Sequence, residues 1–141
     1  MSDRHFRLRL HCGYEQPGNA IAHLMVQKRG QDGWEEFTLN TLSPGFEIFV
    51  YAVFTCQHTY FRTNCAEQGL LLAEAEGEIE LVTDADWNLV RSLVKFHGRL
   101  VQGEPGDAAI SYIVERMRQC PVSRNILEIP DNQTRISFGD Q

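Results

Sequence analysis

A chain of 141 residues with 43% hydrophobic and 23% charged side chains is long enough for one domain with a real core, 1–141, and short for two. Its formal net charge of −6 argues against nucleic acid as a partner, since that needs a basic footprint to displace counterions, and against an anionic membrane surface. The first residues lack a continuous apolar run, and the most apolar window, residues 46–54, carries Glu47 and is too short to span a bilayer. The expectation is a cytoplasmic protein whose four cysteines, Cys12, Cys56, Cys65 and Cys120, are kept reduced.

In chain order, Phe6, Leu8, Leu10 and Cys12 alternate with Arg7, Arg9 and His11, the period of a half-buried strand. Residues 16–19 (QPGN) read as a turn. A strand over about 20–27, a turn at 30–33 (GQDG) and a short strand over about 35–39 complete an N-terminal β-meander. Ser43 suits an N-cap, Pro44 a first helical position and Gly69 a stop, so the interval predicts a helix over about 44–68. Its first half, from Phe46 through Ile48 and Phe49 to Phe54, is apolar nearly all round, the mark of a helix buried on most sides. One sheet in a chain this small does not cover such a helix, which points to a partner subunit.

Glu74, Glu76, Glu78 and Glu80 alternate with Ala73, Ala75, Gly77, Ile79 and Leu81, predicting a strand over about 73–81 with a solvated acidic face. Around 89–101, Val90, Val94, Phe96 and Leu100 share an inward face. GEPGD, residues 103–107, breaks the chain. A second helix then runs to about Gln119, with a stripe of Ile110, Ile113, Val114 and Met117 and with Cys120 next in phase. A final strand near 134–138 gives the order βββ-α-ββ-α-β, an α+β domain.

Two cysteines occupy matching positions. Cys56 shares helical phase with Phe49, Val53 and Tyr60. Cys120 ends the second stripe, and Pro121 can open a new turn (PVSRN) with Cys120 at or near its N-cap. Unpaired N–H groups at such an end stabilise a thiolate. Arg116, four residues back, and Arg124, four on, add positive charge if helical turns continue through this point. Cys56 has no such help on its own helix, because Thr59 and Tyr60 lie one turn on and His58 points elsewhere. Its activation must come from another element or another subunit. The plainer reading makes both residues core, since free cysteines are among the most buried types. Cys12 and Cys65 read as core. Close Cys/His pairs of zinc spacing are absent, as are a Gly-rich phosphate loop and a GXSXG elbow, so neither metal nor cofactor is expected. Trp34 and Trp87 lie near turns.

A helix that opens on Ser-Pro and reaches a cysteine after an apolar run, SPGFEIFVYAVFTC, and a helix ending in Cys-Pro and then Ser, AISYIVERMRQCPVSRN, together resemble the OsmC/Ohr family. The resemblance runs from about Ser43 to the C-terminus, and before it only the β-meander agrees. It implies an OsmC-like fold, an intertwined homodimer with sites at the interface, and a peroxiredoxin-type thiol peroxidase that reduces organic hydroperoxides in oxidative stress defence and is recycled by a dithiol. By the same resemblance Cys56 would be the peroxidatic cysteine and Cys120 the resolving one. Two positions depart from the family's peroxidases. Phe46 stands where they place a glutamate, with Glu47 one residue on and about 100° round the helix. Their hairpin arginine has no counterpart in residues 13–19, and Arg7, Arg9 and Arg29 match no motif. Two functions stay open: a reductase using Cys56 and Cys120 with Glu47, Arg116 and Arg124 in support, or a non-catalytic OsmC-like dimer that binds an apolar small molecule beside the central helix.

Overall fold

A computed structural model describes residues 3–126 and 129–140. The N-terminal alternation forms the meander β1 (Arg4–Glu15), β2 (Ala20–Gly30) and β3 (Gly33–Glu36), and after α1 (Gly45–Glu67) come β4 (Leu71–Thr83) and β5 (Leu89–Gln102). Then follow α2 (Asp107–Arg118), a short 3-10 helix over Ser123–Ile126, and β6 (Asp131–Phe138). The six strands make one sheet in the order β3-β2-β1-β4-β5-β6. Every neighbouring pair is antiparallel except β5 and β6, which run parallel because α2 carries the chain back across the sheet. The α+β class and the element order are those expected, with the 3-10 helix as an addition.

Strand alternation sends Leu8, Leu10 and Cys12 of β1, Ile79 and Leu81 of β4, and Val94 and Phe96 of β5 to the face that α1 covers. Gly77 makes room there: a Cβ on it would stand 2.5 Å from the Phe96 ring. Phe96 stacks on Phe61 of α1 with centroids 4.8 Å apart. On the outer face the glutamate row is paired rather than simply solvated. Glu78 meets Arg7 at 3.2 Å, Glu80 meets His5 at 3.1 Å, and Glu74 meets Arg99 at 2.5 Å.

Local boundaries shift for physical reasons. Pro44 is extended (φ −58°, ψ 138°) and serves as the N-cap, so α1 starts at Gly45. The Ser43 hydroxyl does not cap it and instead accepts the Asn40 N–H at 3.0 Å. The stop at Gly69 is as expected: its φ of +76° lets the Leu70 N–H reach the Cys65 carbonyl at 2.8 Å and the Gly69 N–H the Ala66 carbonyl at 3.0 Å, a Schellman closure. The third strand starts and ends earlier than its sequence suggests, at Gly33–Glu36, because Trp34 pairs with Arg29 under the Arg9 guanidinium, 4.4 Å from the ring. Among the described residues no helix is long and apolar enough to cross a membrane.

Candidate functional site

The second helix ends at Arg118, the backbone turns at Cys120–Pro121, and the 3-10 helix begins at Ser123. This corner sits beside the middle of α1. Met117 and Cys120, the last residues of the apolar stripe, are both fully buried. The Cys120 sulfur accepts the Ser123 N–H at 3.3 Å, and the Cys120 carbonyl accepts the Arg124 N–H at 2.9 Å. Sequence phase and Pro121 thus put the sulfur at the N-terminal end of a new turn, as an N-cap acceptor.

From α1, Cys56 reaches the same corner. Its thiol lies beside the Cys120 thiol and near the backbone N–H groups of Val122 and Ser123. Of the four cysteines, Cys56 alone is half-buried, and Cys12, Cys65 and Cys120 are buried. Burial raises the Cys56 pKa and the neighbouring Cys120 thiol raises it further, while the two backbone N–H groups pull it down. Cys65 is pushed up to about 12 by burial, and Cys12 is also raised. Both lie in the core, where their phase put them. The arrangement at the corner is a pair of adjacent thiols, one half-buried and one sheltered, with the Ser123 N–H donated to the sheltered one.

No protein-family model matches the sequence, and neither does any curated protein. Solved structures do. An osmotic stress induced and detoxification response protein from Psychrobacter arcticus aligns at a TM-score of 0.54 and 13% identity, over 88% of this chain and 84% of its own. An OsmC-like hydroperoxide resistance protein from Jannaschia sp. aligns at 0.57 and 13%, over 86% of each chain. An OsmC-like protein from Mycoplasma pneumoniae aligns at 0.52 and 5%, over 82% of this chain and 87% of its own. This chain has the OsmC-like fold.

Within this OsmC-like fold the supporting charges read from the sequence make contacts of their own or face solvent. Glu47 bonds Lys28 Nζ at 3.1 Å. Nine residues separate it from Cys56 on α1, which is about 13 Å of rise and half a revolution, so the chain does not bring the two together. Arg116 donates from Nε to Asn64 Oδ1 at 3.3 Å, and the Arg124 side chain is exposed. The structure brings further residues to the corner and its flank. Gln57, 1% exposed, donates from Nε2 to the Met117 carbonyl at 2.7 Å and to Ser123 Oγ at 2.6 Å, and lies 3.6 Å from the Cys120 sulfur. Its signal in the sequence is a polar residue in phase with Val53 and Phe61. On the opposite flank, His58 bonds Tyr14 Oη through Nε2 at 2.7 Å.

On the outer face of the OsmC-like sheet, His11, Glu74 and Glu76 hold one ligand atom each within 4.8 Å of one another. Arg99 already holds Glu74, and His11 Nδ1 bonds Glu76. The group is a cross-strand ion-pair ladder.

Proposed function

We propose that this protein is a cysteine-based hydroperoxide reductase in oxidative stress defence, with Cys56 as the attacking thiol, Cys120 as the resolving thiol, and a homodimer as the working unit. The carrying observation is the contact between the half-buried Cys56 thiol and the sheltered Cys120 thiol at the Cys-Pro corner. Further support comes from the hydroperoxide resistance named for the Jannaschia protein of like fold. The Cys56 thiolate attacks one peroxide oxygen, the O–O bond breaks, and the alkoxide leaves and takes a proton as the alcohol. Cys56 becomes a sulfenic acid. The Cys120 sulfur then attacks the Cys56 sulfur and displaces hydroxide, which leaves as water with the Cys120 proton. An external dithiol returns the disulfide to two thiols by exchange.

One observation favours the alternative, a non-catalytic OsmC-like dimer that binds an apolar small molecule. The Cys56 thiol is raised, and its contacts are a thiol and backbone donors rather than a side-chain cation. The deciding experiment is a single turnover of reduced protein with cumene hydroperoxide, followed by intact mass. A reductase yields the Cys56–Cys120 disulfide in wild type, no oxidation at this site in Cys56→Ser, and a trapped sulfenic acid that proceeds to sulfinic acid in Cys120→Ser. Because the Cys56 pKa lies above its ordinary value, its thiolate fraction at neutral pH is small. The first step should therefore accelerate about tenfold per pH unit through the neutral and mildly alkaline range. Wild-type thiols left untouched by excess hydroperoxide at pH about 9, where the free thiol ionises, decide for the alternative.

A further inference from the structure

Gln57 is buried in a way that packing does not account for. Its position, four residues after Val53 and four before Phe61, is a core position of α1, and both of those neighbours are buried. An apolar side chain would fill it without stranding a polar atom, yet the Gln57 carbonyl oxygen Oε1 is buried with no partner. The amide nitrogen, in contrast, is fully engaged. The Met117 carbonyl at 2.7 Å can only accept, which fixes nitrogen rather than oxygen on that side. The second amide hydrogen goes to Ser123 Oγ at 2.6 Å, and the Cys120 sulfur at 3.6 Å makes a weaker third contact. All three partners belong to the corner between α2 and the 3-10 helix. Gln57 also follows Cys56 directly in sequence, so one residue ties the carrier of the first thiol to the carrier of the second.

We infer that Gln57 is the positioning residue of the resolving step: its amide holds Cys120 and the corner around it against Cys56, so that the sulfenic acid closes to a disulfide before a second hydroperoxide reaches it. This rests on the peroxidase reading above. Closure breaks the Cys56 S–O bond, forms the S–S bond, and sends hydroxide and the Cys120 proton away as water. The competing path oxidises the sulfenic acid to a sulfinic acid and consumes a second hydroperoxide as its oxidant. Which path wins depends on how fast the Cys120 sulfur reaches the Cys56 sulfur. Donors aimed at that sulfur, the Ser123 N–H at 3.3 Å and the Gln57 amide, hold its place beside Cys56.

Gln57→Met tests this, since methionine matches the size and removes the donors. The first step, followed by loss of cumene hydroperoxide, should keep its wild-type rate. Disulfide closure, followed by dimedone trapping and intact mass, should slow by about tenfold or more, as for loss of a hydrogen bond to an ionised group. Sulfinic acid at excess peroxide should rise accordingly. The ratio of the closure rate to the first-step rate should therefore fall, a split that mere loosening of the core around both thiols does not produce. Closure at the wild-type rate overturns the inference and leaves the peroxidase reading standing. A wild type whose Cys56 takes up no oxygen sinks the peroxidase reading and the resolving role with it. Should Gln57→Met not fold, the Gln57 side-chain amide resonances of Cys56→Ser protein decide. They should move when Cys120 is also replaced by alanine, and resonances that ignore that replacement overturn the inference.

Discussion

His58 lies on the flank of α1 turned towards the sheet, 3% exposed, with its ring stacked on Phe96 at 5.6 Å. Burial lowers its pKa to about 4, with the Arg62 charge adding to the shift, against an ordinary 6.5. The folded value is the lower one, so the unfolded chain takes up the proton first on acidification. The stability from a neutral His58 is fully present above pH about 6.5 and is lost as pH falls towards 4, a total of about 3 kcal/mol. The carboxylates of Glu74 and Asp84 are also held low and act in the same direction. Urea unfolding between neutral pH and pH about 4 should therefore lose much of its acid dependence in His58→Gln, by about 3 kcal/mol. An unchanged difference would show that His58 takes up its proton at the same pH in the fold as in the unfolded chain. At this scale the sequence was informative where phase decides. Cys12, Cys65 and Cys120 lie where their periods put them, and Cys56 faces the Cys-Pro corner. Gln57 was not readable, because its partners Met117 and Ser123 are sixty or more residues away and the local pattern shows only a polar residue on an apolar stripe.

The turn between β1 and β2 shows how one residue locks two elements. Asn19 is fully buried in a left-handed conformation, φ +54°. Its Nδ2 donates to the carbonyls of Arg62 at 3.0 Å and Leu70 at 3.1 Å, and its Oδ1 accepts from the Leu72 N–H at 2.8 Å and from Gln16 Nε2 at 2.7 Å. The hairpin is thereby fastened to the end of α1 and the start of β4. Asn19→Ala both strands buried backbone groups and strains the left-handed position, and should cost about 3 kcal/mol in denaturant unfolding. Asn19→Gly relieves the strain alone and should fall between alanine and wild type. Equal stability of all three would mean that water replaces the side chain. The sequence marks this segment as a turn and says nothing of the fastening, since the partners come from α1 and β4. Elements with a strong period, such as β1, β4 and α2, are readable to within a few residues. The third strand and the first turn of α1 are displaced by features the period does not carry: the cross-strand pairing of Trp34 and the extended backbone of Pro44.

At the scale of the whole molecule, apolar side chains stand exposed at several points, and two groups of them lie at the start of α1 and on β2. Near the start of α1, Ile48 is 43% exposed and Leu42, just before the helix, is 91% exposed. On β2, Leu24 pairs with Cys12 and so faces the helix side of the sheet, yet it is 41% exposed, and Ile21, paired with Tyr14, is 40% exposed. The all-round apolar character of the first half of α1 is thus only partly used within one chain. Val50, Val53 and Phe54 are buried, and the flank carrying Ile48 is left open. A second copy covering the open helix flank and the open β2 face in a reciprocal, two-fold arrangement accounts for both patches with one symmetry operation. The protein should therefore sediment at twice the chain mass at micromolar concentration. Replacing Leu24 and Ile48 by lysine places like charges at the contact and should shift the species to the chain mass while each chain keeps its fold, read by circular dichroism. If the partner also shelters Cys56, the monomeric variant should show faster alkylation of that thiol and slower peroxide turnover. Wild-type protein that sediments at the chain mass across the micromolar range defeats the dimer, and with it the need for any residue beyond one chain at the Cys56–Cys120 corner.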